Sequence, residues 1–361
     1  MKIFINNYKW KIQPKNTDWQ YLQNFYSLKE WDDSVEIRGN DNPWCNFKAN
    51  FTYCLIVLFS KFSFSRKFQC LRRWELKAFI SKKDQQWADV ILTHGSIPQK
   101  CCTPIVFSSG FMTDEYVGRV DRSSEIEFKK GAFEKAAAVV FSSQDAVDRF
   151  NHISSEFQDK LLSIPFLLPY LKAGETLVGK AKTQVLFVGR DGKRKGSENL
   201  CQAIKRLDEK ILQKTHFVFV TEENISFDTS VSYDLLPACS REQVNQYMLA
   251  CDVFVMPTTH DSYGIVFIEA MAKNCAIIAD DRQPRTDIFE NKKNALLVDP
   301  TSVNEISVAL ETLLSDEEFR LALSKSAREK FEKCFSAEMV AGQYLNLFRE
   351  LMKAQSICGA P

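Results

Sequence analysis

Two carboxylates eight residues apart, Asp261 and Glu269, are the side chains whose spacing first suggests chemistry. Asp261 lies in a polar loop after an apolar run that stops at Pro257, and Glu269 lies in the apolar stretch that follows Gly264. A charge among apolar helix residues is costly unless a partner meets it, and a carboxylate only accepts hydrogen bonds. A diol such as a ribose would suit Glu269. The alternative is that Glu269 is a solvated helix residue and that Asp261 caps the helix.

A basic turn earlier in the chain offers the complementary charge. The sequence Gly189-Arg190-Asp191-Gly192-Lys193-Arg194-Lys195-Gly196 follows an apolar run and precedes a helical stretch. Glycines allow a tight turn, a helix start favours anions, and Arg190 and Lys195 add charges that would neutralise a diphosphate. The turn matches neither the Walker A pattern nor G-x-G-x-x-G, which disfavours ATPase and NAD-binding functions. The alternative for this turn alone is a solvated basic surface.

The elements that must position these residues alternate between strand and helix patterns. Residues 251–279 read as strand, loop, helix and strand, and residues 184–188 read as a strand before the basic turn and a helix over 198–210. Such βαβ units predict a parallel sheet, which presents its loops at the ligand-binding edge. The basic turn and the carboxylate-bearing loop can therefore face one cleft, where one would hold a nucleotide's phosphates and the other its ribose.

The domain prediction follows from length and from the distribution of Pro and Gly. A chain of 361 residues favours two domains of ordinary size. We predict an N-terminal α/β domain over 1–168, a linker over 169–182 and a C-terminal α/β domain over 183–335.

Composition narrows the class of protein. Net charge is +1, which excludes a general nucleic-acid binder. The 11 cysteines are scattered without a Cys-x-x-Cys pair, so reduced thiols and no metal site are expected. The N-terminal residues resemble a first strand rather than a secretory signal, and no apolar run is long enough to span a bilayer. A cytoplasmic location is predicted.

One stretch between Lys61 and Lys83 is strongly basic and is interleaved with aromatic residues. Its cations face a single acid, Glu75. This pattern suits a helix on an anionic membrane surface, and equally a solvated helix face whose aromatic residues pack on the sheet. The sequence predicts peripheral membrane contact as one of these two alternatives.

At this point the residues resemble the GT-B glycosyltransferases, specifically the retaining family 4, also called glycosyl transferases group 1. The family's Gly-Arg-x4-Lys-Gly signature matches residues 189–196, and its E-x7-E segment followed by Ala-Met-Ala matches residues 261–272. The similarity extends over about residues 183–335. It is fainter in the N-terminal half, where residues 88–94 resemble the strand that ends in the family's active-site histidine, here His94.

The resemblance implies a fold of two Rossmann-like domains facing each other across a cleft. It also implies that a last helix within 336–361 packs back on the N-terminal domain. Roles for single residues follow from the same resemblance. Arg190 and Lys195 would hold the donor diphosphate and stabilise it as it leaves, with Gly189 beside them. Glu269 would hold the ribose hydroxyls.

The remaining implied roles concern the sugar. Asp261 would contact the donor sugar, and Tyr263, Gly264 and Ile265 would contribute backbone N–H groups. His94 would lie near the donor sugar and the acceptor. The family needs no metal and no cofactor, with a UDP- or GDP-sugar as donor.

Several positions depart from the family pattern. The first Glu of E-x7-E is Asp261, and the Gly-rich acceptor loop after the first strand is replaced by residues 6–10, Asn-Asn-Tyr-Lys-Trp. The Gly-Gly before a later helix is Gln283-Pro284. These departures leave the acceptor open.

The resulting hypothesis is a retaining transferase that moves a hexose from a nucleotide-diphosphate sugar to a glycan or lipid-linked acceptor. The first alternative is a catalytically weak nucleotide-sugar-binding partner subunit. The second is a phosphorylase-like enzyme, which is disfavoured because no stretch resembles a pyridoxal-binding site.

Overall fold

The computed structural model describes residues 1–6, 22–39, 77–78, 80–94, 97–98, 101–108, 130–174, 182–227, 230–237, 239–261 and 263–357. The chain divides into two compact units. The first unit combines Met1–Pro169 with Ala337–Pro361, and the second comprises Tyr170–Ser336. Both are α/β units built on parallel sheets.

The first unit carries a sheet of six described strands, all parallel. In chain order the strands of this unit are Lys2–Asn6 (β1), Glu36–Gly39 (β2), Lys77–Ala78 (β3), Val90–His94 (β4), Ile97–Pro98 (β5), Ile105–Ser108 (β6), Ala138–Phe141 (β7) and Leu161–Ser163 (β8). The sheet order is β2-β1-β4-β6-β7-β8, and β3 pairs separately with β5. The described α-helices before the second unit are Lys82–Trp87 (α1) and Gln144–Ile153 (α2), with 3₁₀ helices at Asn24–Glu30 and Ser155–Lys160.

Strand β1 shows how this sheet is buried on both faces. Ile3 and Ile5 point into one apolar cluster and Phe4 points into the other, because successive side chains of a strand alternate between faces. All three are fully buried. A parallel sheet covered on both sides needs such uninterrupted apolar strands.

The last helix, Ala337–Ile357, belongs to the core of this first unit. Val340, Tyr344 and Phe348 are fully buried in the same cluster as Ile3. The ring of Tyr344 meets the ring of Phe25 edge-on, with 4.7 Å between centroids, which is a favoured aromatic geometry.

The second unit carries another six-stranded parallel sheet of described strands. Its strands are Thr183–Val188 (β9), Thr215–Val220 (β10), Tyr233–Leu236 (β11), Val253–Met256 (β12), Ala276–Asp280 (β13) and Leu296–Val298 (β14). The order is β11-β10-β9-β12-β13-β14. Counting strands from the start of this unit gives 3-2-1-4-5-6, the order of the Rossmann fold.

Helices cover this second sheet. The described helices from here to the end of the chain are Ser197–Ile204 (α3), Glu209–Lys214 (α4), Arg241–Ala250 (α5), Ile265–Ala272 (α6), Arg285–Ile288 (α7), Val303–Ser315 (α8), Glu317–Lys330 (α9) and Ala337–Ile357 (α10), with a π-helical turn at Phe331–Phe335. The single helix predicted over 198–210 is wrong. Helix α3 ends at Ile204, and Asp208 begins a new helix because its carboxylate accepts the N–H of Lys210 at 2.8 Å.

Some predictions fall on residues outside the described ranges. Most of the basic stretch between Lys61 and Lys83 is among them, as are the replaced acceptor loop beyond Asn6 and residues 175–181 of the predicted linker. Among the described helices, none has the length and apolar character required to cross a membrane.

Candidate active site

The second sheet reverses its strand order between β9 and β12, which are adjacent in the sheet and distant in the chain. In open α/β sheets, ligands bind beyond the carboxyl ends of the strands at such a reversal. The loop after β9 is the basic turn Gly189 to Gly196, and the loop after β12 carries Asp261. Both predicted ligand-binding loops therefore lie at the position that sheet topology favours.

Gly196 is required by the local backbone. Its φ of +86° lies in the left-handed region, and an added Cβ would collide with the carbonyl oxygen of Pro257. Gly196 precedes α3 and Pro257 begins the other loop, so the absence of a side chain lets the two loops touch. Gly189 makes room in the same way, because an added Cβ would lie 2.8 Å from Cβ and Cγ of Lys195.

Lys195 and Asp261 form the central charged pair. Lys195 Nζ lies 2.6 Å from Asp261 Oδ2, and the two side chains are only 13% and 14% exposed. Burial lowers the pKa of Lys195, while the neighbouring Asp261 raises it. A cation and a carboxylate thus meet in a place largely shielded from water, where electrostatic interactions are stronger than at an open surface.

Arg190 does not share this shielding. Its side chain is 73% exposed, and its Nε lies 3.2 Å from Glu222 Oε1. Exposed ion pairs of this kind contribute little to stability, so Arg190 can leave Glu222 for another anion at little energetic cost.

Arg194 is a structural residue of the site that the sequence did not reveal. Its guanidinium donates to the carbonyl of His260 at 2.6 Å, and its own carbonyl accepts the hydroxyls of Thr258 at 3.2 Å and Thr259 at 3.0 Å. The Thr259 N–H donates to the same carbonyl at 3.1 Å. The two loops are therefore tied together by hydrogen bonds as well as by the Lys195–Asp261 pair.

A buried ion pair anchors the loop that carries Asp261. Arg285 Nε lies 2.9 Å from Asp280 Oδ2, and both side chains are 1% exposed. The other two guanidinium nitrogens donate at 2.8 Å to the carbonyls of Asp261 and Tyr263. Burial raises the pKa of Asp280 to about 6, against the lowering effect of Arg285. Asp280 therefore holds the loop in place through Arg285.

The residues after Asp261 lead into helix α6. Tyr263 is buried, and Gly264 stands before the helix with a φ of +84°. The first turn of any helix directs N–H groups outward that have no acceptor within the helix. Ile265 is the first helical residue, so the predicted contributors of backbone N–H groups lie at a helix start.

Glu269 lies one turn further along α6 and faces a different set of residues. Tyr170 donates its hydroxyl to Glu269 Oε1 at 3.1 Å, and the guanidinium of Arg241 lies over the Tyr170 ring, 4.4 Å from its centroid. Burial raises the pKa of Glu269, while Tyr170, Arg241 and Lys273 lower it. A cavity of about 460 Å³ opens here. Tyr170 and Arg241 are two further residues that the sequence did not single out.

His94 belongs to the first unit. It ends strand β4, and its Nδ1 lies 3.3 Å from Ser108 Oγ at the end of β6. The first sheet reverses its strand order between β1 and β4, so His94 lies at the corresponding reversal of its own unit.

The described part of the chain contains each of the side-chain types that metal ions commonly require as ligands. No three side chains among its His, Cys, Asp and Glu residues lie close enough together to hold an ion. The described cysteines are free thiols, of which Cys251 and Cys275 are buried.

Comparison with known proteins finds a family model that matches most of the second unit. A family model described as "Glycosyl transferases group 1" matches residues 174–330, which include both loops and helix α6. The second unit of the chain therefore resembles this family. A sulfoquinovosyl transferase from Arabidopsis thaliana is 29% identical over 160 residues, which cover 42% of this chain and 30% of the relative.

A second relative from Campylobacter jejuni is N,N'-diacetylbacillosaminyl-diphospho-undecaprenol alpha-1,3-N-acetylgalactosaminyltransferase. It is 26% identical over 179 residues, which cover 48% of this chain and 46% of the relative. The chain thus spans about half or less of these two relatives.

Solved structures match over nearly the whole chain. A sucrose-phosphate synthase from Thermosynechococcus elongatus has a TM-score of 0.66 at 15% identity, and the match covers 98% of this chain and 99% of the synthase chain. Anabaena HepE in complex with UDP and glucose has a TM-score of 0.63 at 13% identity and covers 97% and 100%. The chain therefore has the two-domain α/β architecture called GT-B.

Proposed function

We propose that this protein transfers a sugar from a nucleotide-diphosphate sugar to an acceptor. The observation that carries the proposal is the Lys195–Asp261 pair, formed by two loops at the reversal of a Rossmann-type strand order. A shielded cation suits the phosphates of a nucleotide, and a carboxylate next to it suits the hydroxyls of a sugar. The match of residues 174–330 to the glycosyltransferase family model supports the same assignment.

The chemistry begins with an exchange of partners. In the structure Lys195 contacts Asp261, so an arriving diphosphate would take over the ammonium and release the carboxylate for a sugar hydroxyl. As the bond between sugar and phosphate breaks, negative charge grows on the leaving phosphate. Lys195 and the exposed Arg190 would stabilise that charge. Electrostatic stabilisation of this kind is usually the largest single contribution of an active site to the reaction rate.

We further propose a UDP- or GDP-hexose donor, retention of configuration and a glycan or lipid-linked acceptor, with no metal or cofactor. The complex of HepE with UDP and glucose supports a hexose donor. The name of the Campylobacter relative, which includes a diphospho-undecaprenol, supports a lipid-linked acceptor. His94 would act on the side of the acceptor.

A lipid-linked acceptor also suits contact with a membrane through the basic stretch between Lys61 and Lys83. Liposome co-sedimentation with anionic vesicles tests this idea with the double variant Arg72→Glu/Arg73→Glu. The variant should bind less than wild type. The control Lys210→Glu/Lys214→Glu makes the same change in net charge at exposed positions elsewhere and should bind like wild type. Equal binding of all three proteins contradicts membrane contact through this stretch.

A second candidate is a partner subunit that binds the nucleotide sugar with little turnover. The observation that favours it is Asp261, which has one methylene fewer than the glutamate of the family pattern. The shorter side chain reaches less far from the loop, and in the structure it is engaged by Lys195.

A panel of UDP-, GDP- and ADP-sugars distinguishes these functions. Calorimetry measures binding, and release of the nucleoside diphosphate with glycan and lipid-linked acceptors measures turnover. Binding with turnover is the expected result. Binding without turnover favours the partner subunit, and the absence of binding to every donor contradicts both functions.

A further inference from the structure

Glu269 receives a hydrogen bond from outside its own helix, and that bond comes from the start of the second unit. Tyr170 is the first residue of this unit, 99 positions from Glu269, and its hydroxyl lies 3.1 Å from Glu269 Oε1. Burial and the nearby carboxylate raise the pKa of Tyr170, so the phenol keeps its proton and acts as the donor.

Arg241 holds the tyrosine in place. Its guanidinium lies 4.4 Å from the centre of the Tyr170 ring, within the range of a cation–π contact. Arg241 is the first residue of α5, whose start is fixed by a capping box between Ser240 and Gln243. Glu269, Tyr170 and Arg241 therefore form a chain of contacts in which each member restricts the next.

The carboxylate keeps capacity for a ligand in this arrangement. Two carboxylate oxygens offer about four acceptor positions, and Tyr170 uses one of them. A ribose diol needs two. The cavity of about 460 Å³ beside Glu269, lined also by Asn245 and Met248, provides space for a group larger than water.

We infer that Tyr170, held by Arg241, is a positioning residue that keeps Glu269 oriented and ionised for the ribose diol of the donor nucleotide. This inference rests on the proposed function and extends it to two residues outside the family's motifs. The charged or titratable groups around Glu269 in this cavity are Tyr170 and Lys172 from the entering segment, Arg241 and Glu242 from α5, and Lys273 from α6. Lys273 Nζ donates to the carbonyl of Lys172 at 2.8 Å. The hydroxyl of Tyr170 donates directly to the carboxylate of Glu269.

The predicted effect has a definite sign. A protonated Glu269 accepts hydrogen bonds more weakly than a carboxylate and carries an O–H donor on one of its oxygens, so affinity for the diol falls as pH falls through the pKa of Glu269. Tyr170 lowers that pKa. Replacing Tyr170 by phenylalanine keeps the ring under Arg241 but removes the donor, so the acid-induced loss of affinity should begin at higher pH.

The experiment measures dissociation constants of the full chain for UDP, GDP and ADP and for their 2′-deoxy analogues between pH 5 and pH 8. For the nucleotide that binds, wild type should prefer the ribose form by roughly tenfold, the scale of a hydrogen bond to a charged group. In Tyr170→Phe this preference should fall about threefold or more at pH 6, and the pH midpoint should rise. Arg241→Gln should change both quantities in the same direction.

A double-mutant cycle separates positioning from general damage. Glu269→Gln should lose the preference for ribose and its pH dependence, and adding Tyr170→Phe to it should change nothing further. Tyr247→Phe removes a tyrosine hydroxyl on the other side of α5, in a separate cavity with His216, and should behave like wild type. Thermal melts show whether each variant folds.

The outcomes are distinct. If wild type prefers the ribose form and Tyr170→Phe keeps both the preference and the pH midpoint, the inference is overturned and the proposed function stands. If Tyr170→Phe acts equally in the presence and absence of Glu269, Tyr170 does not act through that carboxylate and the inference is also overturned. If wild type binds none of the nucleotides, the proposed function and the inference fail together.

Discussion

Replacing Arg285 by methionine tests whether the buried pair with Asp280 anchors the Asp261 loop. The variant keeps an unbranched side chain of similar length in a position that is 1% exposed, but it removes the charge and all donors. Asp280 then loses its counter-ion, and the carbonyls of Asp261 and Tyr263 lose the hydrogen bonds they accept at 2.8 Å.

The expected loss of stability depends on pH. At pH 6, where the wild-type Asp280 is about half protonated, the lost hydrogen bonds account for most of the effect and lower the free energy of unfolding by about 2–3 kcal/mol. Above pH 6 the wild-type carboxylate ionises beside Arg285, because its pKa is about 6. The variant must keep Asp280 protonated, which adds about 1.4 kcal/mol for each pH unit. At pH 8 the total is about 5 kcal/mol, within the range measured for broken buried pairs.

Urea denaturation followed by circular dichroism at pH 6, 7 and 8 measures this difference. Arg285→Lys is the matched control, because lysine retains a charge for Asp280 but cannot reach the carboxylate and both carbonyls together. The control should lose about 2 kcal/mol at every pH. A loss in Arg285→Met that does not change between pH 6 and pH 8 refutes the assignment of Asp280 and Arg285 as an ionised pair.

Two other substitutions address the loop after β9. Lys195→Ala should lower kcat/KM about a hundredfold because it removes a charge that stabilises the leaving phosphate. The control Lys193→Ala removes an exposed lysine of the same turn and should have little effect on kcat/KM. Equal kinetics of the two variants contradict the role of Lys195. Gly196→Ala should lower the free energy of unfolding by about 2 kcal/mol or more, since alanine is strained at a φ of +86° and would collide with Pro257. Gly342 lies in α10 with open space around it, so Gly342→Ala is the control and should be about 0.5–1 kcal/mol more stable than wild type in the same denaturation experiment. A Gly196→Ala variant that is as stable as wild type contradicts the steric argument.

The sequence predicts the framework of this fold well where local patterns decide it. The apolar runs at 185–188 and 252–256 are strands, and the two-domain α/β architecture predicted from the family resemblance is confirmed. The glycines of the basic turn correctly indicated a tight turn, because the backbone at Gly196 has a positive φ and leaves no space for a side chain. The resemblance to glycosyl transferases group 1, which rests on the basic turn and the paired carboxylates, is confirmed over residues 174–330 by the family model.

The contacts that organise the site could not be predicted from local patterns. Arg285 and Tyr170 are far in sequence from the groups they contact at Asp261 and Glu269, and nothing in their neighbours marks them. Arg190 and Lys195 appear equivalent in the sequence, yet one side chain is exposed and the other is shielded. Packing decides such differences. The roles of the individual site residues in binding and turnover stay predictions.

The position of α10 has a consequence for how this chain is made. Residues 1–169 are synthesised first, but their core lacks Val340, Tyr344 and Phe348 until the last helix arrives. The whole second unit, Tyr170–Ser336, is synthesised in between, which takes roughly 10–30 s at ribosomal rates. During that interval the apolar face of β1 lacks its final cover, so the unit that is translated first is completed last. A premature stop within α10 would accordingly damage the N-terminal unit and spare the one next to it in the chain.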